Sequence, residues 1–331
     1  MERVMTRRSL AFGLLATATF ARAASGKVWR VAVVHPSELP ENLTENGRRS
    51  ISSFFRQLKR LGYVENQNII VERYSAFGRI EAYNDLARKV VETRPDVIVS
   101  MHDALSNAFK LLTRSIPVAS ISADPIKLGI VSSLSRPEGN ITGVSADAGY
   151  EVFGKRLQFL TETVGKLSNT RFVAAPAQRT APHWKFAEQA AKEANVPISI
   201  APIENYTPAE YERMFAQVEA EKVDGLFFPT NPEHITNRKL IVELAANHRI
   251  PAIYNYRDFV EAGGLMAYGV DLTESTRRLA EIVDELLKGK KPGDIPISQP
   301  TKFELLLNRQ AADKLNLNFP ATLLSIADET I

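Results

Sequence analysis

The sequence predicts an α/β protein of two lobes, each a parallel sheet flanked by helices, with the chain passing between the lobes more than once. Three observations lead there. From residue 28 onward, Val- and Ile-rich runs alternate with amphipathic helical stretches, the pattern of successive βαβ units. The alternation restarts near residue 150, so the 331 residues divide into two sheets, in keeping with about 100–200 residues per domain. After Gly263-Gly264 there remain a strand, a helix and one further strand, too little for a third domain. Those pieces complete the two existing sheets, and that requires return crossings.

The elements follow in order. "VWRVAVVHP" (28–36) reads as a strand, and residues 45–61 as a helix with Ile51, Phe54, Phe55, Leu58 and Leu61 on one face, stopped by Gly62. "NIIVERYSA" (68–76), "PDVIVSM" (95–101) and "IPVASIS" (116–122) are strands, separated by helices at 79–93 and 104–114. The second series runs helix 150–165, strand 171–177, helix 182–195, strand 197–203, helix 208–221, strand 223–230, helix 232–248 and strand 250–255. "LMAYGVD" (265–271), an amphipathic helix at 274–289 and "TKFELLLN" (301–308) close the chain.

Residues 1–23 have the form of a secretory signal: basic Arg3, Arg7 and Arg8, an apolar run from Leu10 to Phe20, and Ala21-Arg22-Ala23 as a small-x-small cleavage site. The apolar run is too short for a permanent membrane span. Cleavage is expected after Ala23, with ordinary secretion favoured over twin-arginine export, leaving the protein in the periplasm with no further membrane insertion. The leader carries Arg3, Arg7, Arg8 and Arg22 against Glu2, a net +3, which equals the formal charge of the whole chain. The mature protein is therefore near neutral, and nucleic acid, which demands a basic surface, is not an expected partner. Cysteine is absent, which excludes thiolate metal sites and Cys nucleophiles. No metal or cofactor is expected.

Between the two series lies "ISADPIKLGIVSSLSRPEGNITGVS" (121–145). Asp124-Pro125 ends a strand at a sheet edge, the Arg136–Asn140 turn redirects the chain, and Ile141–Val144 makes the first crossing. Three segments, "ADPIKLGIVSSLSRPEGNITGVS", "RIPAIYNYRDFVEAGGLMAYGVD" and "LLKGKKPGDIPISQPTKFELLLNRQAADKLNL", resemble signature stretches of the ABC-transporter substrate-binding proteins of the tryptophan/tyrosine-binding type. The resemblance covers nearly all of residues 27–331. It implies the type I periplasmic-binding-protein fold: two Rossmann-like lobes joined by a three-crossing hinge, here 27–145 plus 269–296 and 146–268 plus 297–331. It also implies capture of a small molecule, such as an amino acid or related carboxylate, for ABC permease subunits.

Ligands of open α/β sheets bind outside the carboxyl ends of the strands, so the candidate contacts are sought there. Ser37 follows the first strand and suits a carboxylate. Phe77 follows the second and suits stacking on a flat ligand. His102 and Asp103 follow the third, where the family often has a small or hydroxyl residue beside a Pro. An acid at this edge repels a carboxylate and pairs with an amine, and Asp103 also reads as the cap of the next helix. Ser122 and Asp124 follow the fourth strand. In the second lobe, Thr230 and Asn231 precede a helix opened by Pro232. Tyr254 and Arg257 follow the next strand, with Arg257 suited to a bidentate carboxylate clamp. Tyr268 and Asp271 stand at the second crossing, where Asp271 suits an ammonium or a helix cap.

Two rival functions share this frame. A sensor for a membrane receptor would use the same cleft. An exported enzyme would draw on His35, His102, Asp103 and Asp124 for acid/base work. The sequence has no G-x-S-x-G, no H-E-x-x-H and no G-x-G-x-x-G after the first strand, and the reading is therefore non-enzymatic.

Overall fold

The computed structural model describes residues 27–146 and 151–331; the predicted leader and the first residue of the helix expected at 150–165 lie outside them. The first sheet is built from β1 (Trp29–His35), β2 (Ile69–Ser75), β3 (Val97–Ser100), β4 (Val118–Ser122) and β5 (Ile141–Ser145), interleaved with helices α1 (Arg49–Arg60), α2 (Tyr83–Glu92) and α3 (Asp103–Leu112). Its order is β2-β1-β3-β4-β5, every pair parallel. The second series contributes α4 (Glu151–Val164), β6 (Thr170–Ala174), α5 (Pro182–Glu193), β7 (Ile198–Pro202), α6 (Pro208–Ala220), β8 (Gly225–Phe227), α7 (Pro232–Thr236), α8 (Arg238–Asn247), β9 (Ala252–Tyr254), α9 (Arg257–Glu261) and β10 (Met266–Val270). Then come α10 (Leu272–Leu287), β11 (Phe303–Leu307), α11 (Arg309–Lys314), α12 (Ala321–Ile326) and β12 (Glu329–Thr330). The second sheet runs β12-β11-β10-β9-β8-β6-β7.

Each sheet is covered on both faces, which is why its strands read as continuous apolar runs. In β1 the two faces alternate residue by residue. Val31 and Val33 pack with Ile51, Phe54, Leu279 and Val283 of α1 and α10. Ala32 and Val34 pack with Tyr83, Ala87, Leu105 and Phe109 of α2 and α3. In the second lobe, Leu157, Leu160, Trp184 and Leu323 fill one side of the sheet, and Tyr211, Phe215, Ile241 and Phe259 the other.

The chain crosses between sheets three times: after β5, between β10 and α10, and between Ser298 and β11. α10 belongs with the first sheet, where Thr276 donates to the Ser50 carbonyl at 2.7 Å and Tyr63 donates to Asp284 at 3.0 Å. Ile295 and Ile297 are buried in the first lobe before the chain returns. All three crossings lie at the carboxyl edges of the sheets. They are tied together, with Ser145 N–H on the Ser298 carbonyl at 2.8 Å and Asp271 N–H on the Lys302 carbonyl at 3.1 Å.

This placement corrects one expectation. β11 enters its sheet from the carboxyl edge and so runs antiparallel to β10, Phe303 opposite Val270 and Leu307 opposite Met266. The sheets are thus parallel except at that pair. The expected helix at 232–248 is split at Asn237, whose amide donates to the Glu233 and Tyr206 carbonyls at 2.9 and 3.2 Å. The short elements α9, α11, α12 and β12 carry too few residues for a periodic signal.

Gly143 fixes the start of the first crossing. Its φ is +152°, and a Cβ there would meet the Ser120 carbonyl oxygen at 1.9 Å, so no other residue lets β5 lie this close to β4. Gly143→Ala should lower stability by about 3 kcal/mol or more, from clash and backbone strain together. Urea unfolding checks it; a loss under about 0.5 kcal/mol, the range of neutral surface changes, would contradict this account of the crossing.

Candidate functional site

The carboxyl edges of the two sheets enclose a cavity of about 110 Å³, partly open to solvent. From the first lobe it is walled by His35 and Pro36 after β1, Arg48, Ser50 and Ile51 at the start of α1, and Met101, His102 and Asp103 between β3 and α3. Ile121, Ser122 and Ala123 at the end of β4, Ala146 after β5, and Leu272 and Thr276 of α10 complete that side. The second lobe supplies His183, Thr230, Pro232, Ile235 and Tyr256.

Arg48 links the two walls. Its guanidinium donates to Ser50 Oγ at 2.8 Å and to Asp258 Oδ1 at 3.3 Å, the latter from α9 of the opposite lobe. Glu38 Oε2 lies 3.3 Å from Nε, and Nη2 lies 3.3 Å from His35 Nε2. His35 Nδ1 accepts the backbone N–H groups of Ser37 and Glu38 at 3.1 and 2.8 Å, so the ring is held in one tautomer. Burial, then the Arg48 charge, then His102 keep this imidazole neutral, far below its ordinary pKa. Ser37 Oγ donates across the cleft to the Pro232 carbonyl at 3.3 Å.

At the next edge the structure revises the cap: His102, not Asp103, caps α3, its Nδ1 accepting the Ala104 N–H at 3.2 Å. Burial lowers the His102 pKa to about 4, so it too is neutral. Asp103 takes the first helical position and turns its carboxyl to the β4 edge, where Oδ1 accepts the Ala123 N–H at 2.8 Å. Burial raises its pKa to about 6; the Ala123 and Ser122 hydrogen bonds restrain the rise and the Asp124 charge adds to it. Behind Ser122 runs a buried chain of hydroxyls, Ser122 to Ser120 at 2.8 Å, Ser120 to Ser106 at 2.7 Å and Ser106 to Ser100 at 2.8 Å. It fixes the rotamers that face Asp103.

Of the residues expected from sequence, His102, Asp103, Ser122 and Thr230 line the cavity. Asn231 sits beside it as the cap of α7, its side chain accepting the Glu233 N–H at 2.8 Å, and Ser37 lies at its rim as a bond between lobes. The remaining six are placed elsewhere. Phe77 is solvent-exposed in a left-handed turn, φ 54°. Asp124 caps its own turn through the Lys127 N–H at 2.9 Å and pairs with the Lys127 ammonium. Tyr254 is fully buried in the second lobe, stacked on Phe259 at 4.6 Å and on Phe228 at 5.3 Å. Arg257 is clamped by Glu304, Glu329 and Glu261 at 2.7, 2.6 and 2.8 Å. Tyr268 packs edge-on to Phe159 and against Phe303. Asp271 caps α10 through the Thr273 N–H and pairs with Lys302, a hinge role. Asp124, Tyr254, Arg257 and Tyr268 each meet a partner of their own lobe, Asp271 is held at the hinge, and Phe77 turns to solvent.

Sequence reasoning passed over Arg48, Ser50, Tyr256 and Thr276. Tyr256 lies between two of the expected residues, past the end of β9 and just before α9; i, i+2 alternation would place it on the face of Tyr254, so no strand pattern points to it. Its hydroxyl faces Thr230, which accepts from the Asn255 amide.

The family model described as ABC transporter substrate binding protein matches residues 44–331, and the chain belongs to that family. The chain is 25% identical over 268 residues to a tyrosine-binding protein of Clostridioides difficile, covering 80% of this chain and 75% of that one. In structure it is similar to a conserved domain protein of Vibrio cholerae, with a TM-score of 0.81, 21% identity and coverage of 92% of this chain and 100% of the other. It is also similar to an ABC domain from Streptococcus pneumonia in complex with L-Trp, with a TM-score of 0.80, 18% identity and coverage of 92% and 99%. These likenesses carry the type I periplasmic binding fold.

Arg257 yields a test of the site's limits. Glu304 is buried, and removing the arginine strands its carboxylate. Arg257→Ala should therefore lose about 3–5 kcal/mol in urea unfolding and leave ligand affinity within about twofold; a tenfold loss of affinity with stability intact would return Arg257 to the site.

Proposed function

We propose that this substrate-binding protein captures a small solute of the aromatic amino-acid type in the interlobe cavity and hands it to the permease subunits of an ABC importer. In this reading the leader directs it to the periplasm and is removed after Ala23, and the closing units are 27–145 plus 269–296 and 146–268 plus 297–331. The observation that carries it is the cavity itself, walled by the carboxyl edges of two sheets whose connections are three crossings. Its cross-cleft polar contacts include the Arg48–Asp258 pair and the Ser37–Pro232 bond. Lobes joined in this way are expected to open and close as units. Asp103, Ser122 and Thr230 meet the polar end of the solute, while Ile51, Ile121, Ile235 and Tyr256 cover its body. The names of the relatives, one tyrosine-binding and one crystallised with L-Trp, support the choice of solute. No helix among the described residues is long and apolar enough to cross a membrane.

A thermal-shift screen of the exported chain against amino acids, aromatic acids and nucleosides tests this reading. A true ligand at about 100 times its Kd should add about 2.7 kcal/mol of stability, read as a rise of several degrees in Tm. A screen in which nucleosides stabilise the chain and amino acids leave Tm unchanged would overturn the choice of solute.

A further inference from the structure

We propose that the cavity selects a protonated amine, that Asp103 is the residue that reads it, and that a carboxylate on the ligand is dispensable. The proposal rests on the reading of the interlobe cavity as the ligand site and narrows its ligand class.

Three observations point the same way. The first is the setting of Asp103. Its carboxyl is on the cavity wall and is fixed by the Ala123 N–H and by Ser122 at the end of the buried hydroxyl chain. Among the described residues the charge that acts on it is another carboxylate, Asp124, itself engaged with Lys127. A half-buried carboxylate with no cation beside it is costly, and an incoming ammonium supplies the missing partner with a charge-assisted hydrogen bond.

The second is the state of Arg48, the one Arg or Lys on the described wall. Glu38 and Asp258 already flank it, each 3.3 Å away, and Ser50 takes another of its N–H groups. A ligand carboxylate at Arg48 would compete with Asp258 and Glu38, and would weaken the pair that joins the lobes. The third is the state of the neighbouring rings: His35 and His102, both on the wall, are neutral. An anionic group therefore meets hydroxyl donors and the repulsion of Asp103, whereas an amine meets an uncompensated charge.

The groups facing Asp103 set the pH dependence. They are His102 beside it, Asp124 and Ser122 at the β4 edge, Tyr256 and His183 from the opposite lobe, and Arg48 and His35 across the cavity. His35 and His102 are neutral at pH 7, and Asp103, with its pKa near 6, changes charge just below it. An ammonium binds its deprotonated form. Affinity for an amine should then be flat between about pH 7 and the pH at which the amine itself loses its proton, and fall toward tenfold per pH unit well below 6.

Isothermal titration calorimetry on the exported chain decides the matter. The probes are L-tryptophan, L-tyrosine, tryptamine, tyramine, 3-(indol-3-yl)propionate and 3-(4-hydroxyphenyl)propionate. The proposal expects tryptamine or tyramine to bind within about tenfold of the matching amino acid, and the deaminated acids at least a hundredfold more weakly. Asp103→Asn should weaken the amines by a hundredfold and abolish the pH slope, and the wild-type pH profile tests the same point should that variant not fold. Deaminated acids that match the amines, or amines unaffected by Asp103→Asn, overturn the proposal. If a different amine binds in an Asp103-dependent way while all six probes fail, the amine proposal stands and the aromatic amino-acid reading falls. If only a neutral or anionic solute occupies the cavity, or none does, the proposal fails.

Discussion

Where the chain crosses between its sheets determines most of what the molecule can do. All three crossings, after Ser145, at 270–272 and at 298–303, lie at the carboxyl edges of the strands. Helices begin at those edges and backbone N–H groups point outward from them, so joining the sheets there turns two ligand-binding edges toward each other. The same constraint makes β11 antiparallel and gives Asp271 and Lys302 their hinge pairing. Gly143 is required because the first crossing starts from a strand pressed against Ser120.

Inside the cavity so formed, burial sets the electrostatics. It holds His35 and His102 neutral and lifts Asp103 to about 6, and it lifts Glu233, which faces Tyr83 from across the cleft, to about 7. Arg48 lies between carboxylates from both lobes. Its pairing with Asp258 couples the shape of the cavity to its charge: while the lobes are together the arginine is engaged, and Asp103 is left as the charge a solute can satisfy.

The fold was legible in the sequence because both sheets are covered on both faces, so each strand announces itself as an apolar run. The helices from α1 to α6 and α10 show one apolar stripe each. The direction of β11 was not legible, since a five-residue strand reads the same either way. The cavity was legible by edge and less so by residue. His102, Asp103, Ser122 and Thr230 were found because strand ends locate them. Arg257 and Tyr254 share an edge with Tyr256 but turn inward, Arg257 to three glutamates and Tyr254 to an aromatic stack. Arg48 lies at the end of a polar loop, and its partner Asp258 is 210 residues away. Pairings of that span leave no local pattern.

The most direct measurement is a crystal structure of the exported chain with the solute that stabilises it most. The account predicts density between Asp103 and Tyr256, an ammonium within hydrogen-bond distance of the Asp103 carboxylate, and Arg48 still paired with Asp258. A solute seated instead in the groove between α8, α9 and α11, or one in the cavity holding a carboxylate against a displaced Arg48, would contradict it.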